Sequence, residues 1–105
     1  MAARADERRH GRTAVAVAVA GLVRTVGLVI ALILVVHVVL TVGRANPDNG
    51  ITVFFASVAE PVALAFRDLF VPSNAELRVL VNYGLAAVFW LVVSGVVSRL
   101  VRRLG

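Results

Sequence analysis

One imidazole is out of place in this sequence. His37 sits within an apolar run, whereas the other histidine, His10, belongs to a charged segment. An ionisable group left alone in hydrocarbon is costly, so His37 needs a partner or a role. Three chemistries fit a lone imidazole there. It can be a neutral group hydrogen-bonded for structure, a proton or ion relay, or a haem or metal ligand. No second His stands at a matching position, which weighs against the ligand reading. Asn82 and Tyr83 are the polar groups nearest in expected depth, so His37, Asn82 and Tyr83 form the candidate polar contact, with Thr41 joining them if a pore is present.

Other chemistry is sparsely represented. There is no cysteine, and therefore no disulfide, thiolate metal site or thiol nucleophile. No Ser-His-Asp set, metal-ligand spacing or Gly-rich phosphate loop occurs, and most of the six acids lie beside an Arg or at a helix start. The expectation is a non-enzymatic protein with no catalytic, cofactor-binding or metal-binding residues and no cofactor.

The elements that would hold these side chains are set by composition. Of 105 residues, 60% are hydrophobic and 16% charged, with a mean hydropathy of +0.92. A chain this short cannot bury so much apolar surface in a water-facing globule, so lipid must act as solvent for part of it. The net charge of +5 does not imply nucleic acid, because the arginines crowd the two ends beside apolar runs. The absence of Lys, with abundant Ala, Val and Gly, points to a GC-rich bacterial genome.

Residues 1–13 read as a polar tail lying on the membrane or without fixed structure. Residues 14–43 form a helical lead-in and the first span, which occupies about 25–43 with Arg24 at the inner headgroups. A secretory leader ending near Ala18-Val19-Ala20 is the competing reading, and the unbroken apolar stretch after Arg24 favours the span. Residues 44–72 form an external loop that opens with a turn, Asn46-Pro47-Asp48-Asn49-Gly50. Its apolar residues Ile51, Phe54, Phe55, Val58, Val62, Phe66, Leu69 and Phe70 recur at helical spacing. They predict short amphipathic helices in the outer interface, broken before Pro61, or alternatively a loop packed on the spans. Ser73 with Glu76 predicts a capping box opening a second span over 73–99, and 100–105 is a basic tail.

Charge sets the orientation. The chain through Arg24 holds five Arg and two acids, the tail three Arg and no acid, and the connecting segment three Arg and four acids. Both ends therefore belong on the cytoplasmic side of a bacterial plasma membrane, with Arg24, Arg99, Arg102 and Arg103 as surface anchors. Pairing the spans from Gly43 and Arg78 inward places His37 level with Gly84, and Gly27 level with Ser94 and Gly95. Gly27, Gly84, Ser94 and Gly95 are the candidate packing positions. Trp90 is read as filling a helix contact, and Ser94 and Ser98 as bonding back to their own helix.

The run Glu60-Pro61, then Phe66-Arg67-Asp68-Leu69-Phe70-Val71-Pro72, after Asn46-Pro47 and between two spans, resembles the YggT/YlmG family of small two-span bacterial and plastid membrane proteins. That resemblance implies envelope or division-site organisation, or ion homeostasis. Separately, the stretch from Glu76 to Trp90 is similar to actinobacterial two-span membrane proteins, a likeness that implies no activity. The fold class expected is an all-α membrane protein, a two-helix hairpin with an interfacial amphipathic segment. Its partners are the lipid bilayer and a homo-oligomer or another membrane protein, in a scaffold or accessory role. The alternative is an oligomeric ion or proton channel using His37.

Overall fold

The structure, a computed structural model, describes the backbone from Ala2 to Gly105 and the side chains from Gly11 onward. The polar segment 1–13 thus lies mostly outside the described side chains. Among the described residues the protein is entirely helical. Three helices are present: α1 (Ala2–Val42), α2 (Gly50–Val62) and α3 (Ala75–Leu104), with a short 3-10 turn at Leu64–Asp68 between the last two. Both α1 and α3 are long and apolar enough to cross a membrane. They lie side by side and antiparallel, giving a molecule of 67 × 28 × 17 Å.

Ends of the helices follow local chemistry. At the close of α1, Arg44 adopts a left-handed backbone (φ 58°). The Arg44 N–H then reaches Thr41 O (3.2 Å) and the Ala45 N–H reaches Leu40 O (2.8 Å), satisfying carbonyls the helix leaves open. Asn46 Oδ1 accepts from the Asp48 N–H, and Asn49 caps α2 by accepting from the Ile51 N–H at 2.9 Å.

Three boundaries differ from the sequence expectation. The helix α2 runs through Pro61 rather than stopping before it. Pro61 falls in the last turn, where its missing N–H forfeits a single helical bond, and the chain turns away just afterwards through Leu64 (φ 56°). The cap of α3 is Asn74, whose Oδ1 accepts from the Glu76 and Leu77 N–H groups, so Ser73 does not form the expected capping box. Glu76, released from that duty, pairs with Arg44 at 3.0 Å. Finally, α1 and α3 extend over the segments read as polar and basic tails, since nothing in Ala2–Thr13 or Leu100–Leu104 breaks a helix.

The segment between α2 and α3 folds back onto the pair of long helices. The core is made of Ala31, Leu34, Ala59, Ala63, Ala86 and Ala87, with Ile30, Ile33, Val62, Phe66, Tyr83 and Trp90 packed against it. Five of the six buried positions are alanine. Small side chains let three backbones approach closely, which is how helices pack when burial of large groups from water is not the driving force. Leu34 and Asn82 are the largest fully buried side chains.

Candidate functional site

The site is built on one face of α3. Asn82, Ala86 and Trp90 recur at helical spacing and point at the returning chain. Asn82 is fully buried, and its amide uses all its main bonding positions on that chain. Its Oδ1 accepts from the Phe70 N–H (2.9 Å), while Nδ2 donates to Phe70 O (2.7 Å) and Arg67 O (3.2 Å). Two turns further on, Trp90 Nε1 donates to Val62 O at 2.7 Å, the carbonyl at the very end of α2. These are backbone groups that a helix end and a non-helical stretch leave open. Side chains of α3 close them, and no buried side-chain polar atom among the described residues lacks a partner.

The same contacts fix how far the connecting segment descends. From Arg78 to Trp90, α3 rises about 18 Å at ~1.5 Å per residue. From Gly43 to Ala31, which shares the core with Ala59 and Ala63, α1 rises by about the same distance, ~18 Å. The tip of the segment, near Val62 and Ala63, is therefore well down the groove between α1 and α3. It enters along α1 as α2 and returns along α3 as the 3-10 turn.

His37 and Tyr83 are brought together, with ring centroids 4.7 Å apart at 55°. Asn82 faces elsewhere and does not join them. The third group beside His37 is Glu60, which the sequence did not single out. His37 and Glu60 line one cleft of about 660 Å³ together with Thr41, Thr52, Ser57 and Arg44. Thr41 Oγ1 donates to the His37 carbonyl at 2.8 Å. On its other side Glu60 accepts from Arg67 (3.3 Å), Asp68 lies 3.9 Å from Arg67, and Arg78 meets Asp68 at 2.9 Å. With Arg44–Glu76, every arginine of the connecting segment is paired.

The opposite end of the hairpin is different. Among the described residues no carboxylate lies within ion-pair distance of Arg24, Arg99, Arg102 or Arg103, and all four are exposed. Between the two ends, Gly27 abuts Ser94: a Cβ at Gly27 would collide with Ser94 Oγ and Cβ and approach Trp90 O to 3.2 Å. Ser94 and Ser98 donate to carbonyls three residues back, Leu91 O and Gly95 O. Gly84 and Gly95 face open space, so they make no close approach within the chain.

Sequence reasoning missed the Asn82 and Trp90 clasp. The usable signals were a lone amide within an apolar helix, a Trp deeper than an interfacial belt, and their common face. Among the described residues no cluster of three or more His, Cys, Asp or Glu side chains is placed to hold a metal. No protein-family model matches the chain, and no curated protein or solved structure matches it either.

Proposed function

We propose that this chain is a multi-pass protein of a bacterial plasma membrane, with α1 and α3 as its two spans, both termini cytoplasmic and α2 with the 3-10 turn forming a re-entrant segment. It serves as a non-enzymatic scaffold or accessory subunit. The observation that carries this reading is how the protein distributes its polar groups. Backbone groups of the segment are closed by Trp90 at its tip and by Asn82 on the returning stretch, and the arginines of the connecting segment are neutralised within the chain. Meanwhile Leu28, Val29, Leu32, Val35, Val39, Val88, Leu91, Val92 and Val96 lie exposed along the long helices. Irregular backbone at membrane depth is tolerated where protein covers it, and apolar outer faces suit lipid or a neighbouring helix. A place in envelope organisation rests on the resemblance carried by residues 60–72.

Single-cysteine variants test the topology directly, since the chain has no native cysteine. Cysteine at Asp48 should react with a membrane-impermeant maleimide added outside intact cells, and cysteine at Gly105 only after lysis. The reverse pattern refutes the orientation. Native mass spectrometry after gentle extraction tests the role: a homo-oligomer or stoichiometric membrane partner is expected, and a solitary monomer refutes a scaffold.

One observation favours a second reading. The cleft that holds His37 and Glu60 is also lined by Arg44, Ala45 and Pro47 of the loop end, and its polar and ionisable groups are ones that a proton or ion pathway would use. On that reading His37→Leu abolishes flux in proteoliposomes while assembly survives. A scaffold shows no flux in either form.

A further inference from the structure

Two clefts share the carboxylate of Glu60. One, of about 380 Å³, also takes in Arg67, Asp68, Arg78 and Tyr83. There each acid has its guanidinium, Glu60 with Arg67 and Asp68 with Arg78. The other, of about 660 Å³, lies between α1 and α2 and extends from Pro47 of the loop to His37 and Glu60. Its lining carries an imbalance that the fold does not cancel.

The imbalance is one of hydrogen-bond sense. Thr41 commits its only hydroxyl proton to His37 O at 2.8 Å, and Ser57 commits its own to Phe54 O at 2.7 Å. Both oxygens therefore have only lone pairs left for the cleft that the two residues line. Glu60 accepts from Arg67 through Oε1 alone, at 3.3 Å, longer than the ~2.7–2.9 Å of a firm charge-assisted bond. Its Oε2 has no partner among the described residues. A neutral imidazole at His37 adds one acceptor nitrogen. On the donor side stand the Thr52 hydroxyl and Arg44, and the Arg44 guanidinium already meets Glu76 at 3.0 Å. Leu40, Val53 and Ala56 supply apolar wall between these groups.

We infer that this cleft binds an amphipathic organic cation, a protonated primary amine whose ammonium meets Glu60 and Ser57 and whose apolar body lies along Leu40 and Val53. The inference deepens the pathway reading above by naming what the cleft takes up. An ammonium carries three donors and no acceptor, the complement of the lining. The volume falls within the ~300–1,000 Å³ of small-molecule sites, which are mostly apolar with a few placed polar groups. Other ligand classes fit less well. An anion would find one guanidinium, 85% exposed and already paired, and an unsatisfied carboxylate in the same cleft. A bare metal ion would find too few ligands, since among the described residues no three His, Cys, Asp or Glu side chains converge.

The test is amide NMR of the labelled protein in phosphatidylcholine nanodiscs, titrated with 4-fluorophenethylamine below its pKa. The Ser57 and Glu60 amides should shift and saturate. The N-trimethylated analogue, which has no N–H, and 4-fluorophenylacetate should bind at least about tenfold more weakly, as expected for loss of hydrogen bonds to a charged group. Glu60→Gln should weaken amine binding by a similar factor, about tenfold, with the Phe70 amide and Trp90 indole signals unmoved. Arg67→Gln, which breaks the same ion pair but keeps the carboxylate, should bind the amine as well as wild type or better. An amine that does not shift these amides, or that binds no better than the carboxylate, overturns the assignment. So does Glu60→Gln binding as wild type does, or Arg67→Gln losing as much affinity as Glu60→Gln, since the effect would then belong to the ion pair. Should Glu60→Gln misfold, Ser57→Ala removes one acceptor without a change of charge and should weaken binding about threefold; no loss there refutes the site. Saturable amine binding without flux in proteoliposomes would refute the pathway reading and leave the site standing, and His37-dependent flux without amine binding would do the reverse.

Discussion

Replacing Asn82 by Leu probes the clasp with little change of volume. It leaves the Phe70 N–H, Phe70 C=O and Arg67 C=O without their partners. Hydrogen bonds between membrane helices average ~0.6 kcal/mol, and net values in proteins are nearer ~1 kcal/mol. Three bonds lost from a fully buried amide thus cost about 2–3 kcal/mol. At ~1.4 kcal/mol per factor of ten, local opening of the 67–70 segment becomes about 30- to 140-fold more frequent. Hydrogen exchange of the Phe70 amide reads this directly in nanodiscs, with the Leu91 amide of α3 as internal reference. Exchange at Phe70 should accelerate by that factor while Leu91 is unchanged. A Phe70 rate within threefold of wild type would show that the amide of Asn82 does not hold the segment, and the account of the re-entrant fold would fail with it.

Other consequences are smaller or of opposite sign. Trp90→Phe keeps an aromatic ring but loses the bond to Val62 O, so exchange in the last turn of α2 should rise about threefold to tenfold, from ~0.6–1.4 kcal/mol; no change there refutes the capping role. Gly27→Ala should destabilise the hairpin by ~1–3 kcal/mol through collision with Ser94, and Ser94→Gly in the same chain should recover most of it; steric-trap unfolding measures both, and equal effects in single and double variants would contradict the contact. Leu64→Gly should stabilise by ~1 kcal/mol, since a left-handed backbone penalises a side chain and Leu64 is half exposed; a lower melting temperature would count against strain at that residue. Arg44→Gln should shift stability by less than ~1 kcal/mol, because the Arg44 side chain in the pair with Glu76 is 85% exposed.

Much of the architecture follows from the order of residues alone. Two long helices, the turn at Asn46–Gly50, and the crowding of arginines toward the two termini all come from composition and spacing, because apolar length and charge placement act locally. Even the relative level of Gly27 and Ser94 can be read by counting inward from Gly43 and Arg78, since two straight antiparallel helices share one rise per residue. The fate of residues 51–72 could not be read that way. Their helical spacing is the same whether the segment lies flat on a surface or dives into a groove. What decides is an alanine seam contributed by three elements, Ala31 with Ala59 and Ala63 and with Ala86 and Ala87, together with two α3 side chains that close the backbone at Val62, Arg67 and Phe70. The same tertiary packing sends Asn82 away from His37 and sets Glu60 beside it. Pairing between residues distant in sequence depends on which faces the helices turn toward each other, and only the folded arrangement of all three determines that.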